Sequence, residues 1–246
     1  MTTGPPGAAA ASERVADAAA VSAWAADVVE RVAAAFGPAA VPADAAPMAA
    51  YMKGVAPFLG IKTPARRAAQ RDAWQNLGRP RQADVAAAAD LLWARPEREY
   101  QYAACDLLAW YVPKVCRPPF LAGAVQPLIV AKSWWDTVDS LRSAAVGPLV
   151  ARHPELVAVI RSWSESGNVW LVRSAIIHQL GRKATTDEAL LFELCARHGA
   201  DREFFVAKAI GWALREHARR APDAVRAFVA ATPLQNLSVR EATKHL

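Results

Sequence analysis

Apolar residues recur at helical spacing along most of this chain. Trp24, Val28, Val32 and Phe36 fall every fourth residue on one stripe, which predicts a helix over 12–36 closed by Gly37-Pro38. Pro38, Pro42 and Pro47 among alanines predict a linker over 37–47. Residues 1–11 then form a disordered leader, and the ordered domain is expected over 48–246. Beyond Met48, helical segments alternate with short breaks of proline, glycine or capping residues, and none shows the period-2, β-branched pattern of a strand. The expected class is all-α. Its start signals are Thr63-Pro64 as N-cap and N1, Ser133 with Asp136, Asn168, Asp201, Thr185 with Glu188, and Ser238 with Glu241. Tryptophans 93, 135, 170 and 212 lie 42, 35 and 42 residues apart, near the length of a two-helix solenoid repeat of the HEAT kind.

Charge sharpens this picture. The 246 residues carry a net +6, but residues 1–47 hold two arginines against five acids, leaving 27 Lys plus Arg against 18 Asp plus Glu in the rest, or +9. An excess of that size favours a polyanionic partner through phosphate neutralisation and counterion release. No run of about 18 apolar residues occurs, so no membrane span is expected. The first twenty residues lack a basic n-region and contain Glu13 and Asp17, against a secretory signal or an Arg-rich transit peptide. Cys105, Cys116 and Cys195 are three, without a C-x-x-C pair, which supports neither a disulfide framework nor a metal cluster. A reducing cytoplasm fits best.

Three groupings place chemistry on shared helical faces, and a fourth gathers at a helix start. Trp135 and Asp139 are four apart, presenting an indole beside a carboxylate; the plainer reading makes Trp135 core and Asp139 a first-turn acid favoured by the helix dipole. Trp170 and Arg173 are three apart, with Arg173 either a ligand group or a surface arginine lying over the indole. Lys208, Trp212 and Arg215 align at i, i+4 and i+7, putting cations beside an indole; the plainer reading makes Trp212 core and both cations solvated edges. Tyr51, Lys53, Lys62, Arg66, Arg67 and Arg71 cluster around the helix start at Thr63-Pro64, where backbone N–H groups and cations suit a phosphate, or simply make a solvated face. There is no H-E-x-x-H, P-loop, G-x-S-x-G or G-x-G-x-x-G motif. The five histidines show no metal-ligand spacing, so neither metal nor cofactor is expected. His178, within an apolar helix, reads as a satisfied core or boundary histidine.

The strings Tyr51-Met52-Lys53, Phe58-Leu59-Gly60-Ile61-Lys62-Thr63-Pro64, Lys132-Ser133-Trp134-Trp135-Asp136 with Val138-Asp139-Ser140, Asn168-Val169-Trp170-Leu171 with Arg173, and Lys208-Ala209-Ile210-Gly211-Trp212 with Leu214-Arg215-Glu216 together resemble the AlkD family of DNA alkylation-repair glycosylases. The resemblance runs in order from about Pro47 to Leu246. It implies a HEAT-like solenoid whose concave basic face holds duplex DNA. The implied activity is a monofunctional, cofactor-free glycosylase, monomeric, removing cationic N3- and N7-alkylated purines. Carried over by position, Trp135 and Asp139 match the catalytic aromatic and carboxylate. Arg173 and Trp212 match groups flanking the lesion, and Tyr51 matches a residue at the DNA cleft. The implied catalytic set is therefore Asp139, Trp135 and Trp212. Tyr51, Lys53, Lys62, Arg66, Arg67, Arg173, Lys208 and Arg215 are the expected DNA contacts, and Tyr51, Trp135, Asp139, Arg173 and Trp212 are expected to converge on one concave surface.

The chemistry suits such residues. A purine alkylated at N3 or N7 is already cationic, so its leaving group needs no general acid, and stabilising the sugar cation remains. Asp139 is suited to offsetting oxocarbenium charge and orienting water, and the two indoles to holding the cation by cation-π contact. The alternative is a HEAT-like module that binds damaged or branched DNA without cutting any bond. An acid kept against phosphates on a basic face argues for catalysis.

Overall fold

A computed structural model describes residues 22–246. Among them the regular structure is helical, without a strand. The leader and the first half of the helix expected over 12–36 lie outside the described residues. What is described of that helix, α1 (Ala23–Ala39), starts from Ser22, whose hydroxyl accepts from the Ala25 N–H at 3.0 Å. The predicted stripe is its core face: Val28, Val32 and Phe36 are fully buried.

Gly37-Pro38 does not stop this helix. Pro38 lies in its last turn, and two residues later α2 (Pro42–Tyr51) begins where a linker is expected. Pro42 occupies N1 of α2, where a missing N–H costs nothing, so the prolines mark a corner between helices. No α2 residue is buried; its start is held instead by the Val41 N–H donating to the Leu59 carbonyl at 3.0 Å.

The chain divides into two compact units, with the boundary between Leu107 and Leu108. In the first, α1 packs on α3 (Thr63–Ala73) and α4 (Gln82–Ala94), and the last helix, α5 (Arg98–Val115), runs across the boundary. A buried carboxylate organises this unit. Glu99 accepts from the backbone N–H of Leu59 (2.9 Å), Gly60 (2.9 Å) and Ile61 (3.0 Å), fixing the segment that leads into α3. Gly60 is obligatory there: at φ +84° a Cβ would stand 2.0 Å from the Val41 carbonyl oxygen.

In the second unit, helices pack on their sequence neighbours in a solenoid-like succession. After α6 (Gln126–Val130) come α7 (Trp135–Leu141) and α8 (Gly147–Arg152), then α9 (Val157–Ser164) and α10 (Val169–Ile177). They are followed by α11 (Glu188–Arg197), α12 (Phe204–Ala218), α13 (Pro222–Ala231) and α14 (Asn236–Ala242). Helix α10 packs on α9 and α12, and α12 on α13 and α14. The α12–α14 approach needs Gly211, where a Cβ would meet the Glu241 Cβ at 2.4 Å.

Two π-helical segments, Leu121–Val125 and Arg142–Val146, precede Gln126-Pro127 and Gly147-Pro148. A proline inside a helix lacks the N–H and crowds the carbonyl four residues back, and widening the turn relieves both. The helical turns from Trp135 to Arg152 thus run on through a π-bulge that begins at Arg142.

Several start signals move. Trp134, extended at φ −156°, is the N-cap of α7, while the Ser133 hydroxyl donates to the Ile129 carbonyl at 2.6 Å. Asp187 rather than Thr185 caps α11. Lys62 precedes α3, leaving Thr63 inside it, and Glu203 precedes α12, with Asp201 accepting from the Glu203 N–H. Ser238 is a buried residue of α14 whose hydroxyl donates to the Ala207 carbonyl of α12 at 3.0 Å. Asn168 caps α10 as expected, its side chain accepting from Trp170 and Leu171.

Candidate active site

The second unit pairs Asp139 with Arg173 and sets Arg142, three residues after Asp139, against Trp212. With Trp134 as N-cap, Trp135 is N1 of α7, and Asp139 follows one turn later on the same face. Arg173 comes from the middle of α10. Its Nε donates to Asp139 Oδ1 at 2.9 Å and its Nη2 to Oδ2 at 2.8 Å, a bidentate fork, while Nη1 donates to the Phe205 carbonyl at 2.8 Å. Arg173 is 5% exposed, and the Asp139 side chain 18%. The pair therefore holds one carboxylate in a fixed plane at the edge of solvent.

Sequence reasoning missed Arg142. Lying three residues after Asp139, at the start of the π-bulge, its guanidinium stands 6.0 Å from the Trp212 ring and donates to the Leu180 carbonyl at 3.0 Å. Burial pushes its pKa down, while Asp139 and Glu216 oppose that shift. Arg142 thus stands between the Trp212 ring and the charge of Asp139. Its signal was weak, because an arginine on a helix is ordinarily read as solvated. Both indoles, Trp135 and Trp212, are half-buried.

The surrounding wall is aromatic. Trp134, Trp170 and Phe205 pack with centroids 4.8–5.8 Å apart. Phe204, 54% exposed, meets Phe205 edge-on at 5.3 Å. Phe204 stands four residues before Lys208 and eight before Trp212, so it extends the predicted stripe of α12. The Trp134-Trp135 and Phe204-Phe205 doublets were the legible sign: each gives one ring, Trp134 and Phe205, to the wall.

The expected DNA-binding cations are more engaged than their spacing implied. Arg173 is not a free cation. Lys208 and Arg215 both pair with Glu241 of α14, Lys208 at 2.8 Å, and these donors hold the Glu241 carboxyl below the ordinary range. Three positions expected in one binding role are therefore engaged within the protein, three cations against the two carboxylates of Asp139 and Glu241. The remaining cluster belongs to the first unit. Arg66 is buried, bound to Asp106 at 3.2 Å and stacked 4.7 Å over Tyr102, which corrects its reading as a surface contact. Lys62 is exposed beside Asp44 at 2.8 Å, and Arg67 lies 3.7 Å from Asp106. Tyr51 is 72% exposed, and Lys53, at φ 61°, is likewise exposed.

One arrangement imitates a nucleophilic triad. Ser164 Oγ lies 2.9 Å from His198 Nε2, and His198 Nδ1 is 3.8 Å from Asp201. Ser164 is 2% exposed, however, and the same Nε2 lies 2.9 Å from the Ser164 carbonyl. The histidine closes the end of α9, and a substrate has no path to the hydroxyl.

A sequence profile described as DNA alkylation repair enzyme matches residues 32–246. The chain belongs to that family. The family segment begins within α1, sixteen residues before the boundary expected at Met48. A solved structure described as a predicted DNA alkylation repair enzyme from Enterococcus faecalis is similar at 31% identity and a TM-score of 0.74, covering 83% of this chain and 95% of that one. No curated protein matches. Membership supports a DNA-repair role and makes DNA the substrate to consider. It also bears on the geometry, because the Asp139–Arg173 pair and Trp212 lie inside the matched segment.

Proposed function

We propose that this protein is a monofunctional glycosylase that hydrolyses the N-glycosidic bond of cationic N3- and N7-alkylated purines in duplex DNA, acting as a HEAT-like, AlkD-type repair enzyme. The observation that carries the reading is the carboxylate of Asp139, held by two charge-assisted bonds at the edge of solvent with half-buried indoles on the same α7 face and beside Arg142.

The roles follow from charge. Alkylation makes the purine its own leaving group, so the barrier is the oxocarbenium character that develops at the sugar. A fixed carboxylate lowers that barrier without reorganising, because Arg173 has already set its plane. Three of the five Arg173 donors are used, which locks the side chain. Trp135 and Trp212 supply π-faces for the cationic nucleotide. Lys53, Lys62 and Arg67, exposed on the first unit, contribute phosphate contacts together with Tyr51.

A second reading keeps DNA binding and drops catalysis, and one observation favours it. Both oxygens of Asp139 accept from Arg173, so the acid is already neutralised, and its presence on a basic protein no longer argues by itself for bond cleavage. Incubating the protein with duplex containing 7-methylguanine separates the readings. Free base appearing in proportion to protein supports the glycosylase, and duplex binding without release supports the module.

A further inference from the structure

We infer that the second unit carries another binding site, separate from Asp139, for a mononucleotide-sized anion. A cavity of about 630 Å3 opens where α10 and α12 end, within the size range of small-molecule sites. Its floor is apolar: Ile176, Leu180, Leu191 and Ala213 line it and are buried. Lys183, Arg219 and Arg220 line it as well, and all three are exposed.

The charge at this cavity is unbalanced. Of the acids nearby, Glu216 also lines the cavity and keeps its charge, since its bond at 2.6 Å comes from the neutral Gly181 N–H, while Glu188 lies 2.7 Å from His217 Nε2; the cations still outnumber the acids that line the cavity. Among the described residues no acid pairs with Lys183, Arg219 or Arg220. His217, which also lines the cavity, keeps a buried Nδ1 without a hydrogen-bond partner, a state that ordinarily costs stability. Lys183 adopts φ 55°, a left-handed backbone that a non-glycine residue rarely keeps without a reason.

An apolar floor beside three exposed cations and one carboxylate, a net positive rim, fits a flat heterocycle carrying a phosphate. Two guanidinium forks and an ammonium suit the phosphate oxygens. A duplex backbone, whose bases stay stacked, has no group for the apolar floor, so a free mononucleotide is the better match. The site is not isolated from the rest of the unit: Leu180 lines the cavity, and its carbonyl accepts from Arg142, which stands against Trp212. The inference does not depend on the glycosylase reading.

Calorimetric titration of the full chain with adenosine monophosphate tests it, with adenosine and inorganic phosphate as half-ligands. The site predicts saturable binding, one nucleotide per chain, with each half-ligand at least about tenfold weaker, since neither satisfies both surfaces. The double variant Lys183→Glu with Arg220→Glu alters exposed side chains only. It is expected to melt as the wild type does and to lose at least about tenfold in nucleotide affinity. No saturable binding up to millimolar nucleotide, or equal affinity in the double variant, overturns the proposal. So does a double variant that loses duplex affinity while the wild type ignores the nucleotide, because the cations then track a DNA backbone.

Discussion

Replacing Glu99 by glutamine tests how the first unit holds the segment that presents Lys62 and Arg67. Glu99 is fully buried and its two oxygens accept three backbone N–H groups, from Leu59, Gly60 and Ile61. The amide keeps one acceptor oxygen, so two of the three bonds persist without charge assistance, at a loss of about 1 kcal/mol each. The NH2 group then faces the Leu59 N–H, donor against donor, and an unsatisfied buried donor costs about 1–3 kcal/mol. Relief of carboxylate desolvation offsets part of this, which leaves a destabilisation of about 3 kcal/mol. For a chain of this size that lowers Tm by about 6–12 °C. Scanning calorimetry reads the shift, and amide exchange at Leu59, Gly60 and Ile61 should accelerate with it. A Tm within about 2 °C of wild type, with those amides still protected, would refute this account of the segment.

Arg173→Lys keeps the charge and loses the fork, so one Asp139 oxygen and the Phe205 carbonyl lose their donor; a stability loss of about 1–3 kcal/mol is expected in urea titration. His178 is fully buried and its pKa falls to about 4 against an ordinary 6.5, chiefly because burial disfavours the charged ring. The folded state then binds fewer protons than the unfolded state between those values. Stability is full above about pH 6.5 and is lost as pH falls toward 4, by about 3 kcal/mol in all. Urea titrations across that range should show a shallower pH slope for His178→Gln than for wild type. Duplex affinity should fall with salt at a log-log slope of about −0.9 per phosphate neutralised. Arg67→Glu should flatten that slope, as read by fluorescence anisotropy, because Arg67 is exposed where Arg66 is buried.

The helical class was legible because nearly every segment beyond Met48 carries 3.6-residue spacing and ends at proline, glycine or a capping residue. The linker was misread because three prolines look alike in sequence, whether they end a helix, open one at N1 as Pro42 does, or sit within one as Pro47 does. Capping boxes misled for a related reason. A serine three residues before an acid matches the pattern at Ser238, yet Gly211 lets α14 approach α12 closely enough for that hydroxyl to bond the Ala207 carbonyl instead. At the candidate site, the i, i+4 spacing placed Trp135 beside Asp139, since one helix fixes that relation. The pairing of Asp139 with Arg173 spans 34 residues and two helices, and no local rule reaches it. The same holds for Glu241, which takes up Lys208 and Arg215 from another helix and turns two expected DNA contacts into an internal network.

The central proposal, that Asp139 stabilises a sugar cation, meets its most direct test in Asp139→Asn. The amide preserves shape but loses the negative charge, so single-turnover release of 7-methylguanine should fall about 10²-fold or more, or about 2.7 kcal/mol in barrier. Duplex affinity measured alongside should hold or rise, because a negative charge that repels phosphate is removed while every exposed cation remains. Stability should fall as well, since the fork is lost, and the melting curve separates that effect from chemistry when release is measured well below Tm. Release at the wild-type rate by the asparagine variant would remove Asp139 from the mechanism, and no release by the wild type itself would leave the DNA-binding module as the better account.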